Sequence, residues 1–317
     1  MRRSRFHQRF NRREPYGAIA PVAIAAGTRV ISAFTPVNAR RPQGVPGTMT
    51  PVVDMDHLAD SLERLRGAKV RVHCITNAVA QNFSANMLLA LGVRPSMTVA
   101  PSEVPAFVSS ADALLVNLGT LDRERRDAID LALDAALETQ TPWVLDPVLV
   151  NRSPERLALA RALVDREPMI VRANAEEFAS LAEPGETAAH YAVRKLTCVA
   201  LTGEVDRISD GGRSAALSNG HPLMARVTAM GCAATAVASA FLAVEHDPLR
   251  SAVCAFTVVG VAGEIAAGEA RGPGSFAVSL LDALYTLDGD TLRRAARVAV
   301  EEADGDPRAT DLGVTAQ

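Results

Sequence analysis

From residue 56 onward the chain alternates between two hydrophobic patterns. Residues 56–66 (DHLADSLERLR) set Leu58, Leu62 and Leu65 on one stripe, the spacing of a helix. Residues 69–75 (KVRVHCI) alternate polar and apolar, the period of a strand. Residues 82–91 predict a buried helix closed by Gly92. Residues 96–100 (SMTVA) read as short and β-like. Short apolar strands are expected over 113–117, 143–145, 169–172 and 198–201. Helices are expected between them, over 122–138 with Asp122 as its cap, 154–164 and 176–181. Segments 207–210 and 215–217 predict a hairpin around Gly211-Gly212. An Ala-rich helix begins at Thr228, and two more apolar helices follow as far as Leu287.

Short apolar strands alternating with helices predict an α/β fold, a mostly parallel central sheet with helices on both faces. Polar residues cluster where the strands end: Asn117-Leu118-Gly119-Thr120, Asp146-Pro147, Arg172-Ala173-Asn174 and Thr202-Gly203-Glu204. Ligands of open parallel sheets bind beyond the carboxyl ends of strands, so four such clusters predict one edge of a site.

Composition narrows the picture in three ways. Aromatics make up only 4% of the 317 residues, so Ala, Val and Leu must build the core. Four cysteines lie far apart with no CxxC or zinc spacing, which points to a reducing, cytoplasmic setting. Residues 252–267 come nearest to a membrane span, but Gly260, Gly263 and Glu264 interrupt them, and a buried helix is the better reading. No membrane role is expected. Residues 1–48 carry nine Arg and a single acid, Glu14, within a chain of net charge −3. Three readings stand: an over-called start with Met49 as the true one, a disordered basic tail, or a targeting presequence. Residues 49–317 are expected to form a single domain. Its acidic balance speaks against nucleic acid as a partner.

No GxxxxGK[ST], no GxGxxG after a strand, no HExxH and no GxSxG is present. What remains suits phosphate. Asp146, fixed by the following Pro147, and Glu177, three residues after Asn174, are carboxylates at two strand ends that can hold Mg²⁺ directly or through water. Taken alone, Asp146 reads more readily as a helix or turn cap and Glu177 as part of a solvated helix face. Residues 228–232 (TAMGC) lead into a helix, where free N–H groups form an anion site and a thiol is expected to have a lowered pKa.

Eight segments in this order carry a resemblance: ITNAVAQNFSANMLLALG (75–92), RPSMTVAPSE (94–103), VNLGTL (116–121), VLDPV (144–148), VRANAEE (171–177), LTGEVD (201–206), VTAMGC (227–232) and GPGSF (272–276). The chain resembles hydroxyethylthiazole kinases of the ribokinase-like superfamily. The resemblance implies ATP-dependent phosphorylation of the alcohol of 4-methyl-5-(2-hydroxyethyl)thiazole in thiamine salvage. It implies that Met97 and Ala229 line the thiazole pocket and that Arg172, Thr202 and Asn174 contact ATP. Asp146 and Glu177 would lie near Mg²⁺, and Met230, Gly231 and Cys232 would form the anion hole. Cys232 would stand where related kinases carry an aspartate base. The resemblance also implies a homotrimer, with Asn77, Asn82 and Asn86 near the shared thiazole site. Two departures stand out. Ala229-Met230-Gly231 replaces the usual Gly-Thr-Gly, and Leu149-Val150-Asn151-Arg152 replaces a stretch that is often glycine-rich. Two alternatives keep the fold: a nucleotide-dependent dehydratase of hydrated nicotinamide cofactors, and a binding paralogue without catalysis.

Overall fold

A computed structural model describes residues 53–301, so the three readings of residues 1–48 lie outside the described residues. Six strands run parallel: β1 (Arg71–Ile75), β2 (Arg94–Ser96), β3 (Ala113–Asn117), β4 (Trp143–Asp146), β5 (Ile170–Asn174) and β6 (Cys198–Thr202). The sheet continues antiparallel through β7 (Asp206–Ser209), β8 (Ser214–Leu217) and β9 (Val298–Glu301), in spatial order β2-β1-β3-β4-β5-β6-β7-β8-β9. The helices in chain order are α1 (Met55–Gly67), α2 (Gln81–Ala90), α3 (Val104–Ser109), α4 (Arg123–Thr139), α5 (Pro154–Val164), α6 (Ala175–Leu181), α7 (Ala188–Lys195), α8 (Met230–Leu242), α9 (Pro248–Glu269), α10 (Pro273–Thr286) and α11 (Gly289–Ala295).

The two-residue period of a strand explains why both sheet faces are buried. Leu115, Val144 and Ile170 enter one core with α1, α2 and α8 to α10. Their neighbours Leu114, Val116, Leu145 and Val171 enter a second core under α3 to α7. The expected mostly parallel sheet covered on both faces is therefore present. Helix α9 is long and apolar enough to cross a membrane, yet most of it is buried in the first core.

Local chemistry accounts for the ends of the elements. Asp122 caps α4 by accepting from the Arg125 N–H (2.8 Å), as its position suggested. Gly92 takes φ 80° after α2 and turns the chain into β2. The SMTVA stretch differs from its expected strand: β2 is Arg94–Ser96, and residues 97–100 lie outside it. Pro95 masks this strand in the sequence, and an edge position tolerates it because no second ladder is lost. Helices α3, α7 and α11 and strand β9 were not foreseen, because runs of four to eight residues leave little periodicity to read.

The sheet aligns the chemistry. Asn117 sits in register with Asp146 across β3 and β4, and Asn174 with Thr202 across β5 and β6. All four end their strands at the same edge.

Candidate active site

Asp146 closes β4 with no exposed surface. Its Oδ2 accepts from Asn117 Nδ2 (2.7 Å) and Thr235 Oγ1 (3.1 Å), while its buried Oδ1 has no hydrogen-bond partner. Arg172 Nη1 lies 3.7 Å from that Oδ1. Burial pushes the Asp146 carboxyl above its usual range and the nearby Glu177 adds to this, while Arg172, Thr235 and Asn117 oppose it. Arg172 Nε is likewise buried and unpartnered. Its guanidinium lies against Gly231, where an added Cβ would fall 2.6 Å from Nη2. A glycine at the second position of α8 is thus what admits the arginine.

Glu177 is buried rather than spread on a solvated helix face. With Asn174 it forms a capping box at the start of α6: Asn174 Oδ1 accepts from the Glu177 N–H (2.9 Å) and Glu177 Oε2 from the Asn174 N–H (3.0 Å). Its other oxygen accepts from the Leu149 N–H (2.8 Å), tying the turn after Asp146-Pro147 to the next strand end. Leu149 holds φ 57°, a left-handed conformation that favours glycine, at a place where the resemblance leads one to expect glycines. Arg152 follows in a 3₁₀ turn and faces Glu176 at 3.8 Å. Thr202 ends β6, half-buried beside Asn174. Met97 follows β2, half-buried against the first core.

Helix α8 starts opposite these strand ends. Ala229 takes φ 65° and its carbonyl accepts the first helical bond, from the Ala233 N–H (2.9 Å). The amides of Met230, Gly231 and Cys232 therefore stand ahead of the helical ladder, where an anion can use them. Ala229 holds a left-handed backbone that favours glycine, at a place where the resemblance leads one to expect one.

The expected lowering of the Cys232 pKa is overturned. Burial and then the Asp146 carboxylate push the thiol up to about 12, although the Asn117 and Asn77 amides and Arg172 pull the other way. Burial beside a carboxylate thus keeps the thiol protonated at neutral pH. Asn77 Nδ2 donates to Cys232 Sγ (3.3 Å).

Two residues of this group, Asn117 and Thr235, had no assigned role, and a third, Asn77, had only a place. Asn117 was visible only as the polar end of an apolar strand, and Thr235 as one hydroxyl in an alanine run. Asn77 was expected near the shared thiazole site; it is buried, linking Asn117 to Cys232. No contact within the sequence signalled these links, which span 29 to 155 positions.

A parallel sheet that delivers an acid, an arginine and an amide to one edge, facing a glycine-bearing helix start, is the arrangement that the resemblance to ribokinase-like kinases implies. The comparisons carry the identification further. The model of the hydroxyethylthiazole kinase family matches residues 62–290. A hydroxyethylthiazole kinase of Granulibacter bethesdensis is 46% identical over 252 residues, covering 74% of this chain and 92% of the relative. A probable hydroxyethylthiazole kinase of Agrobacterium fabrum is 43% identical, covering 77% and 95%. The solved hydroxyethylthiazole kinase of Pyrococcus horikoshii OT3 shares the fold with a TM-score of 0.74 at 37% identity, covering 77% of this chain and 99% of its own. The chain belongs to the hydroxyethylthiazole kinase family.

Proposed function

We propose that this chain transfers the γ-phosphoryl group of ATP to the primary alcohol of 4-methyl-5-(2-hydroxyethyl)thiazole, a step of thiamine salvage. One observation carries the reading. Asp146, Arg172 and the first turn of α8 converge, with Cys232 Sγ held in the same hydrogen-bonded group as the acid. Phosphoryl transfer through a loose transition state needs positioning and charge stabilisation more than covalent chemistry. The amides of Met230, Gly231 and Cys232 supply donors for the moving charge, and Arg172 supplies a cation held against Asp146. Arg172, Thr202 and Asn174 line the ATP side, and Met97 and Ala229 the alcohol side. The neutral Cys232 thiol orients the hydroxyl. In a loose transition state the alcohol keeps its proton until the O–P bond forms, and the proton then passes to an oxygen of the transferred phosphoryl group or to solvent as ADP leaves.

The chemistry of the donors fits Mg²⁺. Asp146 Oδ1 is a buried acceptor without a partner, and Glu177, whose oxygens already accept two amides, would act through water. The ion would neutralise phosphate charge. Among the described residues no group of three or more His, Cys, Asp or Glu forms a protein cage for it. This suits an ion shared with the nucleotide and water.

We further propose a cytoplasmic homotrimer whose catalytic unit is residues 49–317, acting on small molecules alone. Exposed Val79 and Leu89, flanking Asn82 and Asn86, support a contact between chains at α2. Sedimentation analysis checks the trimer.

The deciding experiment is a coupled ADP assay with Mg-ATP against a panel of thiazole and pyrimidine alcohols. Thiazole-dependent ADP release is expected. Binding without turnover, or turnover with pyrimidine alcohols alone, refutes the reading. Cys232→Ala is expected to lower kcat far more than it raises the KM for ATP. An unchanged kcat removes the thiol from the reaction.

A further inference from the structure

Asn77 uses every hydrogen-bonding group it has. Its Oδ1 accepts from the Ala80 N–H (2.9 Å), and its Nδ2 donates to Asn117 Oδ1 (3.0 Å) and to Cys232 Sγ (3.3 Å). Asn117 Oδ1 also accepts from the Gly119 N–H (3.0 Å), and its Nδ2 donates to Asp146 Oδ2 (2.7 Å). The arrangement has one sense only. Turning Asn117 over would set its NH₂ group against the Gly119 N–H and its oxygen against the Asp146 carboxylate, and turning Asn77 over would set its NH₂ group against the Ala80 N–H and its oxygen against Asn117 Oδ1. Both side chains are buried, Asn117 almost completely and Asn77 at 7% exposure. Gly119 locks the pair from the side, since a Cβ there would fall 2.6 Å from the Asn77 Cβ.

We propose that Asn77 and Asn117 form a directed amide relay in which Asn77 is a positioning residue for the Cys232 thiol, coupling it to the carboxylate of Asp146. Because Asn77 donates to the sulfur, the thiol proton is turned away from Asn77 and left for an acceptor on the open side. On the reading above, which the proposal rests on for its kinetic arm, that acceptor is the alcohol oxygen. The relay also gives the two groups a shared register. A buried amide with all its bonds made in this way costs little and fixes geometry closely.

The test is a double-mutant cycle together with a chemical probe. Asn77→Leu, of similar shape, removes both donors. It is expected to lower kcat about 10- to 100-fold, with the KM for ATP nearly unchanged. In a Cys232→Ala background the same change is expected to cost less than about 3-fold, because the group it positions is gone. Equal losses in both backgrounds would overturn the relay. Asn77→Asp keeps the acceptor for Ala80 and serves if the leucine variant fails to fold.

The probe needs no turnover. Iodoacetamide alkylation of Cys232, followed by mass spectrometry at about pH 9, reads the donor on the sulfur directly. Loss of a donor that favours the thiolate slows alkylation about 10-fold in Asn77→Leu. Cys74, Cys198 and Cys254, each at most 2% exposed, are internal controls. Alkylation of the variant at the wild-type rate overturns the proposal even if the thiazole alcohol proves not to be the substrate. Slowed alkylation with no thiazole-dependent ADP release sustains the hydrogen bond and sinks only the substrate.

Discussion

Gly231→Ala separates the stability of this fold from its chemistry. The added Cβ would lie 2.6 Å from Arg172 Nη2, 2.9 Å from Nη1 and 3.0 Å from Cζ. Ordinary contact between such atoms is about 3.5 Å, so the guanidinium must retreat by about 1 Å. The atoms in the way are the tip of a flexible side chain, so the backbone can stay where it is. Arg172 Nη1 now stands 3.7 Å from Asp146 Oδ1. With an effective dielectric of about 20, a charge pair near 4 Å loses about 1 kcal/mol for each ångström of separation. The same loss applies to a phosphate at the α8 start, and misalignment of about 1 Å can alone cost about 100-fold. The expected fall in kcat/KM for ATP is therefore about 10- to 100-fold.

Stability should respond the other way. Gly231 lies in the first turn of α8, where alanine is favoured over glycine by up to about 1 kcal/mol. Displacing the arginine offsets part of this, so the melting temperature should stay within a few degrees of wild type. Differential scanning fluorimetry and the coupled ADP assay on one preparation measure both. Wild-type kcat/KM in a folded variant would show that Arg172 does not act from its observed position. A large drop in melting temperature would show that the guanidinium cannot move, and the argument from its flexible tip would fail.

Two further outcomes follow from buried groups and a third from a strained backbone. His73 is fully buried in β1, and burial lowers its pKa from 6.5 to about 4. Below pH 6.5 the unfolded chain binds a proton there that the folded one refuses, so stability falls from about pH 6.5 to about 4, by up to about 3 kcal/mol. Urea midpoints across that window should flatten in His73→Leu, and an unchanged slope would assign the loss elsewhere. Glu245 accepts from Ser61 Oγ (2.5 Å), His57 Nε2 (3.1 Å) and Arg64, pinning α1 to the end of α8. Glu245→Ala leaves the Ser61 hydroxyl buried without that partner and should cost about 2 kcal/mol in chemical denaturation. Ala229→Gly removes a left-handed alanine that costs about 1–2 kcal/mol. Against the extra entropy of glycine in the unfolded chain, about 0.5–1 kcal/mol, a net gain of about 0.5–1 kcal/mol is expected. A destabilised glycine variant would show that the alanine methyl packs productively.

The sequence exposed what depends on local periodicity and hid what depends on distant approach. Residues 113–117 and 154–164 were legible to the residue, because an all-apolar strand or a proline-led helix reads the same in any fold. The strand-end cluster was legible as an edge, since Asn117, Asp146, Asn174 and Thr202 each stop an apolar run. Its wiring was not. Whether Glu177 points to solvent or back to the Asn174 amide depends on the turn at Leu149, and the thiol pKa depends on how much water α8 excludes. A helix start alone argues for a reactive thiol; burial beside a carboxylate reverses the sign.

The two departures from the family pattern show how the levels connect. Leu149 and Ala229 replace expected glycines, and both take positive φ, 57° and 65°. The backbone around these two turns is therefore imposed by what surrounds it: the Glu177 carboxylate on the Leu149 N–H, and the first bond of α8 on the Ala229 carbonyl. The local strain is tolerated because the surrounding packing over-determines it. Leu149 and Ala229 thus hold left-handed backbone without glycine at both turns.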